Sequence, residues 1–186
     1  MNQSRFNRIA LLALVFSALL FCAGRTSAEE IGGPTPIYST QIIMEDSELV
    51  DDVTCMVTGA PCITFGRPGI TLRLNGFTIK GPADPLTPAT GCTSTTVFAP
   101  EDGIQVLEND VAIIGPGRVR NFRRWGVLLG SFAPGTLVKN VALKKVTFSE
   151  NCFSGLQTAG LDDSKIEGNI FARNAGGSNG FSCGGT

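Results

Sequence analysis

Past residue 100 the chain repeats itself, and the period of that repeat limits the fold more than any other feature. Gly103-Ile104-Gln105-Val106, Gly126-Val127-Leu128-Leu129, Gly155-Leu156-Gln157-Thr158 and Gly180-Phe181-Ser182-Cys183 share one form, with glycines 23, 29 and 25 residues apart. Each unit carries two further short runs. The second runs are Val111 to Ile114, Leu137 to Leu143 and Ser164 to Glu167; the third are Arg118 to Phe122, Lys144 to Phe148 and Asn169 to Ala172. Three brief runs per unit, separated by Gly, Asn, Ser and Pro, leave no room for a helix of three turns. A period in the twenties instead describes a solenoid, in which each unit buries its apolar side only by stacking on its neighbours. A leucine-rich repeat lacks its Leu-x-x-Leu-x-Leu frame here, and a β-sandwich would not return glycine to matching points. The expected fold is all-β: a right-handed parallel β-helix of about five coils. Its last coil begins at Gly180 and stops, so the C-terminal end reads as open or truncated.

Alternation along each strand predicts which side chains enter the core. Ile104/Val106, Val127/Leu129, Leu156/Thr158 and Phe181/Cys183 should point inward, and Gln105, Leu128, Gln157 and Ser182 outward. Twelve phenylalanines against one tyrosine and one tryptophan suit a dry stack without hydroxyls to satisfy, with Phe122, Phe148 and Phe171 as its candidates. Asn140, Asn151, Asn169 and Asn174 fall near turns, where asparagine tolerates left-handed backbone and can ladder from coil to coil.

The 186 residues contain no histidine, which removes the Ser-His-Asp triad, the Cys-His pair and the histidine metal cluster. Residues 1–28 read as a secretory signal peptide: Arg5 and Arg8, an uncharged run from Ile9 to Ala23, then small residues at Thr26-Ser27-Ala28. The run is short for a membrane span, which needs about 20 residues. Bulky Phe21 before Cys22 argues against lipidation. Removing these residues changes the net charge from −1 to −4, giving no reason to expect nucleic acid or, after cleavage, membrane as a partner. The expected product is secreted or periplasmic, with a linker at 29–41 and the β-helix at 42–186, interrupted by an excursion at 82–100. That excursion reads most simply as a flap over the N-terminal apolar end.

Five cysteines remain, and an oxidising compartment permits bridges while leaving one thiol over. Cys55 and Cys62 flank a Gly59-Ala60-Pro61 turn and are the expected bridge, with Cys92 the alternative partner for either. Cys152 and Cys183 differ in lateral position by roughly 20 Å at ~3.3 Å per residue, too far for a disulfide. Cys183 therefore reads as a small buried apolar residue.

Before the repeats, a strand ending in Cys55 is followed by Ile70-Thr71-Leu72-Arg73-Leu74-Asn75-Gly76-Phe77-Thr78-Ile79-Lys80-Gly81. This run resembles the opening coil of secreted β-helix proteins in the pectin-lyase-like superfamily. The later coils are similar to repeats of the periplasmic NosD-type β-helix proteins. The resemblance covers about residues 42–186 and implies the fold more than an activity. Arg73 stands where such proteins often carry Asp, and Phe77 where they often carry His, so a site using those groups is lost. Copper ligation, which NosD-type proteins suggest, lacks histidine and has only Met1, Met44 and Met56 as thioethers. No cofactor or metal is expected; calcium, which lyases of the superfamily hold with carboxylates, stays an open alternative that no residue pattern here supports.

Two groups of residues could carry function. Arg118, Arg120, Arg123 and Arg124 cluster around Trp125, with Lys144 and Lys145 expected on the corresponding strand one coil later. Cations beside an aromatic suit an acidic polysaccharide; the plainer reading is a solvated strand face. Glycoside hydrolysis needs two carboxyls roughly 5–9.5 Å apart. Asp162 and Asp163 are the weak catalytic candidates, with Glu101, Asp102 and Glu150 as further carboxylates; acidic pairs in turns are commonplace. The function expected is thus an exported β-helix module, associated with carbohydrate or the cell surface and without an intact catalytic site. The alternatives are a truncated or divergent polysaccharide lyase or glycoside hydrolase, and a structural solenoid that self-associates through its open C-terminal coil.

Overall fold

The computed structural model describes residues 28–83, 92 and 100–174, and among these all regular structure is strand. The strands form three parallel sheets wound by one chain. Sheet I contains β2 (Gln41–Ile43), β5 (Ile63–Phe65), β8 (Ile104–Val106), β11 (Trp125–Gly130) and β15 (Ser154–Ala159), neighbours in that order. Sheet II contains β1 (Glu29–Ile31), β3 (Ser47–Leu49), β6 (Thr71–Arg73), β9 (Ala112–Ile114), β13 (Ala142–Lys144) and β17 (Lys165–Glu167). Sheet III contains β4 (Val53–Thr54), β7 (Thr78–Lys80), β10 (Arg118–Arg120), β14 (Thr147–Ser149) and β18 (Ile170–Ala172). A short pair, β12 (Val138–Lys139) with β16 (Leu161–Asp162), decorates one corner. From β2 onward the chain visits I, II and III in turn, making a β-solenoid of about four turns. The expectation of about five was close; its last coil, from Gly180, lies outside the described residues, as do residues 1–27.

Stacked coils place like residues in rows through the core. In sheet II, Leu72, Ile113 and Leu143 align and are fully buried. In sheet III the row is Val53, Ile79, Val119 and Phe148, and in sheet I it is Ile63, Ile104 and Val127. Each such side chain contributes about 1.5–3 kcal/mol by leaving water. The inward assignments of Ile104, Val106, Val127 and Leu129 hold. Thr158 is exposed, and Leu128, expected outside, is buried. The loop after β11 returns toward the start of that strand, where the Phe132 ring lies 5.5 Å from Trp125.

The repeat glycines are required by the close approach of the next coil's backbone and by the aromatic row beside them: a Cβ on Gly103 would clash with the Gly126 carbonyl oxygen, and one on Gly126 would stand 2.7 Å from that of Gly155. A Cβ on Gly126 would stand 2.9 Å from the Phe148 ring and 2.8 Å from the Asn151 amide nitrogen. On Gly103 it would meet the Phe122 ring at 2.8 Å, and on Gly155 the Phe171 ring at 2.6 Å. The period thus records where a phenylalanine fills the corner. Phe148 and Phe171 stack at 5.4 Å with planes 13° apart.

Asparagines lock the corners. Asn151 Oδ1 accepts from the Phe122 N–H at 3.1 Å while its Nδ2 donates to the Val119 carbonyl at 3.3 Å. Asn174 repeats this on Asn151 N–H and Phe148 C=O, and Asn169 on Val146 N–H and Leu143 C=O. Each clamp closes over a residue with positive φ in the preceding coil: Asn121 (60°), Glu150 (59°) and Lys145 (57°). Such backbone is unfavourable for a side chain as long as Glu or Lys, and the clamp supplies the compensating bonds.

Two expectations change. Residues 29–41 are more than a linker: β1 pairs with β3, and Ile37 bridges Cys55, so this segment covers the N-terminal end of the solenoid. Residues 84–91 and 93–99 of the excursion, expected as a flap, lie outside the described residues. Its described residue, Cys92, is joined to Cys152 (Cα–Cα 5.2 Å) rather than to Cys55 or Cys62, which are joined to each other (Cα–Cα 6.0 Å). Ala83, where the excursion leaves, packs in the same buried cluster as Cys92 and Cys152. The disulfide thus ties the excursion to a coil beyond the one it left. Cys183 lies outside the described residues.

Candidate functional site

Register decides which of the cationic residues share a face. In β10, Val119 is the buried centre, so Arg118 and Arg120 project outward. Arg118 lies beside Thr78 on one neighbouring strand and Thr147 on the other. Arg120 lies beside Lys80 and Ser149. With strands ~4.8 Å apart, Lys80, Arg118 and Arg120 make a compact cationic group on the outer face of sheet III, bordered by Thr54, Thr78 and Thr147. Lys80 and Arg118 are exposed, and no carboxylate among the described residues pairs with either. Arg120 is shared with Glu150 at 3.5 Å. Glu150 also accepts from Arg173, and that hydrogen bond is the main cause holding its carboxyl below the ordinary range.

Lys144 and Lys145 do not belong to this group. Lys144 ends β13 in sheet II, between Ile114 and Glu167, and pairs with Glu167 at 3.3 Å. Lys145 occupies the next corner, its N–H donating to the Glu167 carbonyl. The expected single patch is therefore split across two faces. Lys80, which completes the real one, was missed in the sequence, although Thr78-Ile79-Lys80 and Arg118-Val119-Arg120 share an outward-apolar-outward pattern that carries the signal.

Arg123, Arg124 and Trp125 lie at the corner leading from sheet III back into sheet I, and most of their capacity is spent within the fold. Arg123 donates to Glu101 at 3.1 Å, whose other carboxylate oxygen accepts from the Gly59 N–H. Arg124 stands 3.8 Å from Asp102 and places its guanidinium 3.6 Å from the Trp125 ring centroid. Asp102 is fully buried, with one carboxylate oxygen 3.4 Å from the Trp125 N–H and the other without a partner. Burial pushes its carboxyl up to about 6, against the pull of Arg124. The corner is a charge-paired pin joining consecutive coils, flanked by the half-exposed Trp125 and by Phe132, 59% exposed.

The weak catalytic candidates lie at the end of β16 and the corner after it. Asp162 pairs with Lys139 at 3.2 Å, and Asp163 is an exposed corner residue with φ of 46°. No group of three or more His, Cys, Asp or Glu side chains among the described residues could hold a metal ion. No helix among them is long and apolar enough to cross a membrane. Compared with known proteins, the chain matches no family model, no curated protein and no solved structure.

Proposed function

We propose that this chain is an exported, non-catalytic β-solenoid module that holds an acidic polysaccharide against the outer face of sheet III. The observation that carries the reading is the register that sets Lys80, Arg118 and Arg120 side by side on adjacent strands. A flat parallel sheet presents cations at fixed spacing, and the hydroxyls of Thr78 and Thr147 beside Arg118 suit hydrogen bonding to sugar. Trp125 and Phe132, at the edge of the same coil, offer apolar surface to a pyranose ring. Export is supported by the signal-like residues 5–28 and by two disulfides, which persist in oxidising compartments. A non-catalytic role is supported by the carboxylates: Glu101, Asp102, Glu150 and Asp162 each face a cation of the fold.

The test is retention of the mature protein on immobilised polygalacturonate across a salt gradient. Retention at low ionic strength should fade as screening rises. Lys80→Glu and Arg118→Glu should each weaken binding by about 3–10-fold, in line with exposed ion pairs. Lys144→Glu, on another face, should leave it unchanged. Equal losses from Lys144→Glu and Arg118→Glu, or no retention of the wild type at low salt, would overturn the reading.

A further inference from the structure

The two ends of the solenoid finish their core rows differently. At the N-terminal end the sheet II row Leu143–Ile113–Leu72–Ser47 closes on Glu29, and the sheet I row Val127–Ile104–Ile63 closes on Gln41. Polar side chains therefore blunt that edge. At the other end, among the described residues, the same rows reach Ile166 and Leu156, and the sheet III row reaches Phe171. Ile166 is 41% exposed and Phe171 48%, although every residue aligned with them inside the stack is buried. Ile170, also in β18, is 58% exposed. Among the described residues β15, β17 and β18 have a strand on one side only, so a line of backbone N–H and C=O groups remains unpaired along with this apolar surface.

We infer that this end pairs with the same end of a second copy, forming a two-fold dimer. Charge decides the partner. A head-to-tail stack would bring the next copy's β1 against β17. Register would then set Ile166 against Glu29 and Glu167 against Glu30, an apolar–acidic and an acidic–acidic contact. A two-fold axis perpendicular to the solenoid reverses the strand direction instead. Lys165-Ile166-Glu167 then meets its own copy antiparallel, placing each Lys165 opposite the partner's Glu167 about a central Ile166 pair. Opposite charges facing each other across an antiparallel pair stabilise it, and a self-complementary patch is what a two-fold interface requires. The same axis lays β15 against the partner's β18, so Leu156 and Phe171 cover each other. Lys165 is exposed and makes no ion pair among the described residues, whereas Glu167 reaches back to Lys144.

Sedimentation of the mature protein tests this, and it is independent of polysaccharide binding. The wild type should run at dimer mass. Lys165→Glu and Glu167→Lys should each raise the dissociation constant by at least ~10-fold and run as monomer, because each places like charges opposite one another. Mixing the two variants should restore a dimer, since each then supplies the charge that the other lacks. This rescue separates a lost interface from a lost fold. A monomeric wild type, as when the end is covered by the chain's own residues 175–186, would overturn the inference. So would variants that fail to rescue each other, or an open-ended series of masses abolished by Glu30→Lys, which would indicate head-to-tail stacking.

Discussion

Asn151 is completely buried, and its side chain makes three hydrogen bonds, to Phe122 N–H, Val119 C=O and the Asn174 amide. Replacing it with the similarly sized Leu strands the first two groups away from water, at about 1–3 kcal/mol for each. The expected result is a clear drop in the urea midpoint with an unchanged m-value. Asn140 is the milder case: it is exposed and its side chain bonds only to Asp110, so Asn140→Leu should cost about 1 kcal/mol, arising from its φ of 56° rather than from stranded polar groups. Asp102 makes a prediction of opposite character. Its carboxyl sits at about 6 in the fold against an ordinary 3.8, so the fold favours the neutral form. Between those values the folded state binds more protons than the unfolded chain, and stability falls as pH rises from about 4 through 6. The loss is on the order of 2–3 kcal/mol and is complete by pH 7. Asp102→Asn should flatten this segment of the profile in pH-dependent unfolding; an unaltered slope would mean that another group titrates there. The asparagine ladder was legible because its residues recur near turns. The orphaned oxygen of Asp102 was not, since nothing in the dipeptide Glu101-Asp102 tells which of two buried carboxylates keeps an unpartnered oxygen.

Short strands were readable wherever an apolar residue stood between two outward ones, as in Arg118-Val119-Arg120. Their lateral position was harder to read. The coil from Gly103 to Gly126 takes 23 residues, but the next, to Gly155, takes 29. The additional residues form the loop between β11 and β12 that carries Phe132 back to Trp125. Counting from the glycine therefore runs ahead by about one strand, and Lys144 lands in sheet II instead of sheet III. The glycines themselves were easy to find, while their cause needed the packing. Gly126→Ala forces a methyl against Phe148 and Asn151 and should destabilise by about 1–3 kcal/mol in thermal or denaturant unfolding. The disulfide Cys92–Cys152 escaped sequence reasoning for a related reason. Its partners are 60 residues apart, and the sequence around Cys92 carries no repeat pattern that would give it a register. Replacing both cysteines with serine should lower stability by about 2–4 kcal/mol, measured against the oxidised wild type.

Along the whole molecule, charge is distributed by end. Residues 28–66 hold seven acidic side chains (Glu29, Glu30, Glu45, Asp46, Glu48, Asp51 and Asp52) and no cation, while all twelve Lys and Arg residues beyond position 28 fall between Arg67 and Arg173. The net charge of −1 hides this gradient, so composition alone gave no reason to expect nucleic acid and did not reveal a cationic face. The central coils are where a polyanion meets least repulsion, and Lys80, Arg118 and Arg120 lie there. Lys144 and Lys145 share the sign of charge but face another way, which makes location the deciding observable. An oligogalacturonide titration followed by amide chemical shifts reads location directly. Saturable, salt-sensitive shifts confined to β7, β10 and β14, strongest at Lys80, Arg118, Arg120 and Thr147, are the expected result. Shifts centred on Lys144 and Lys145, or none at low salt, would contradict it.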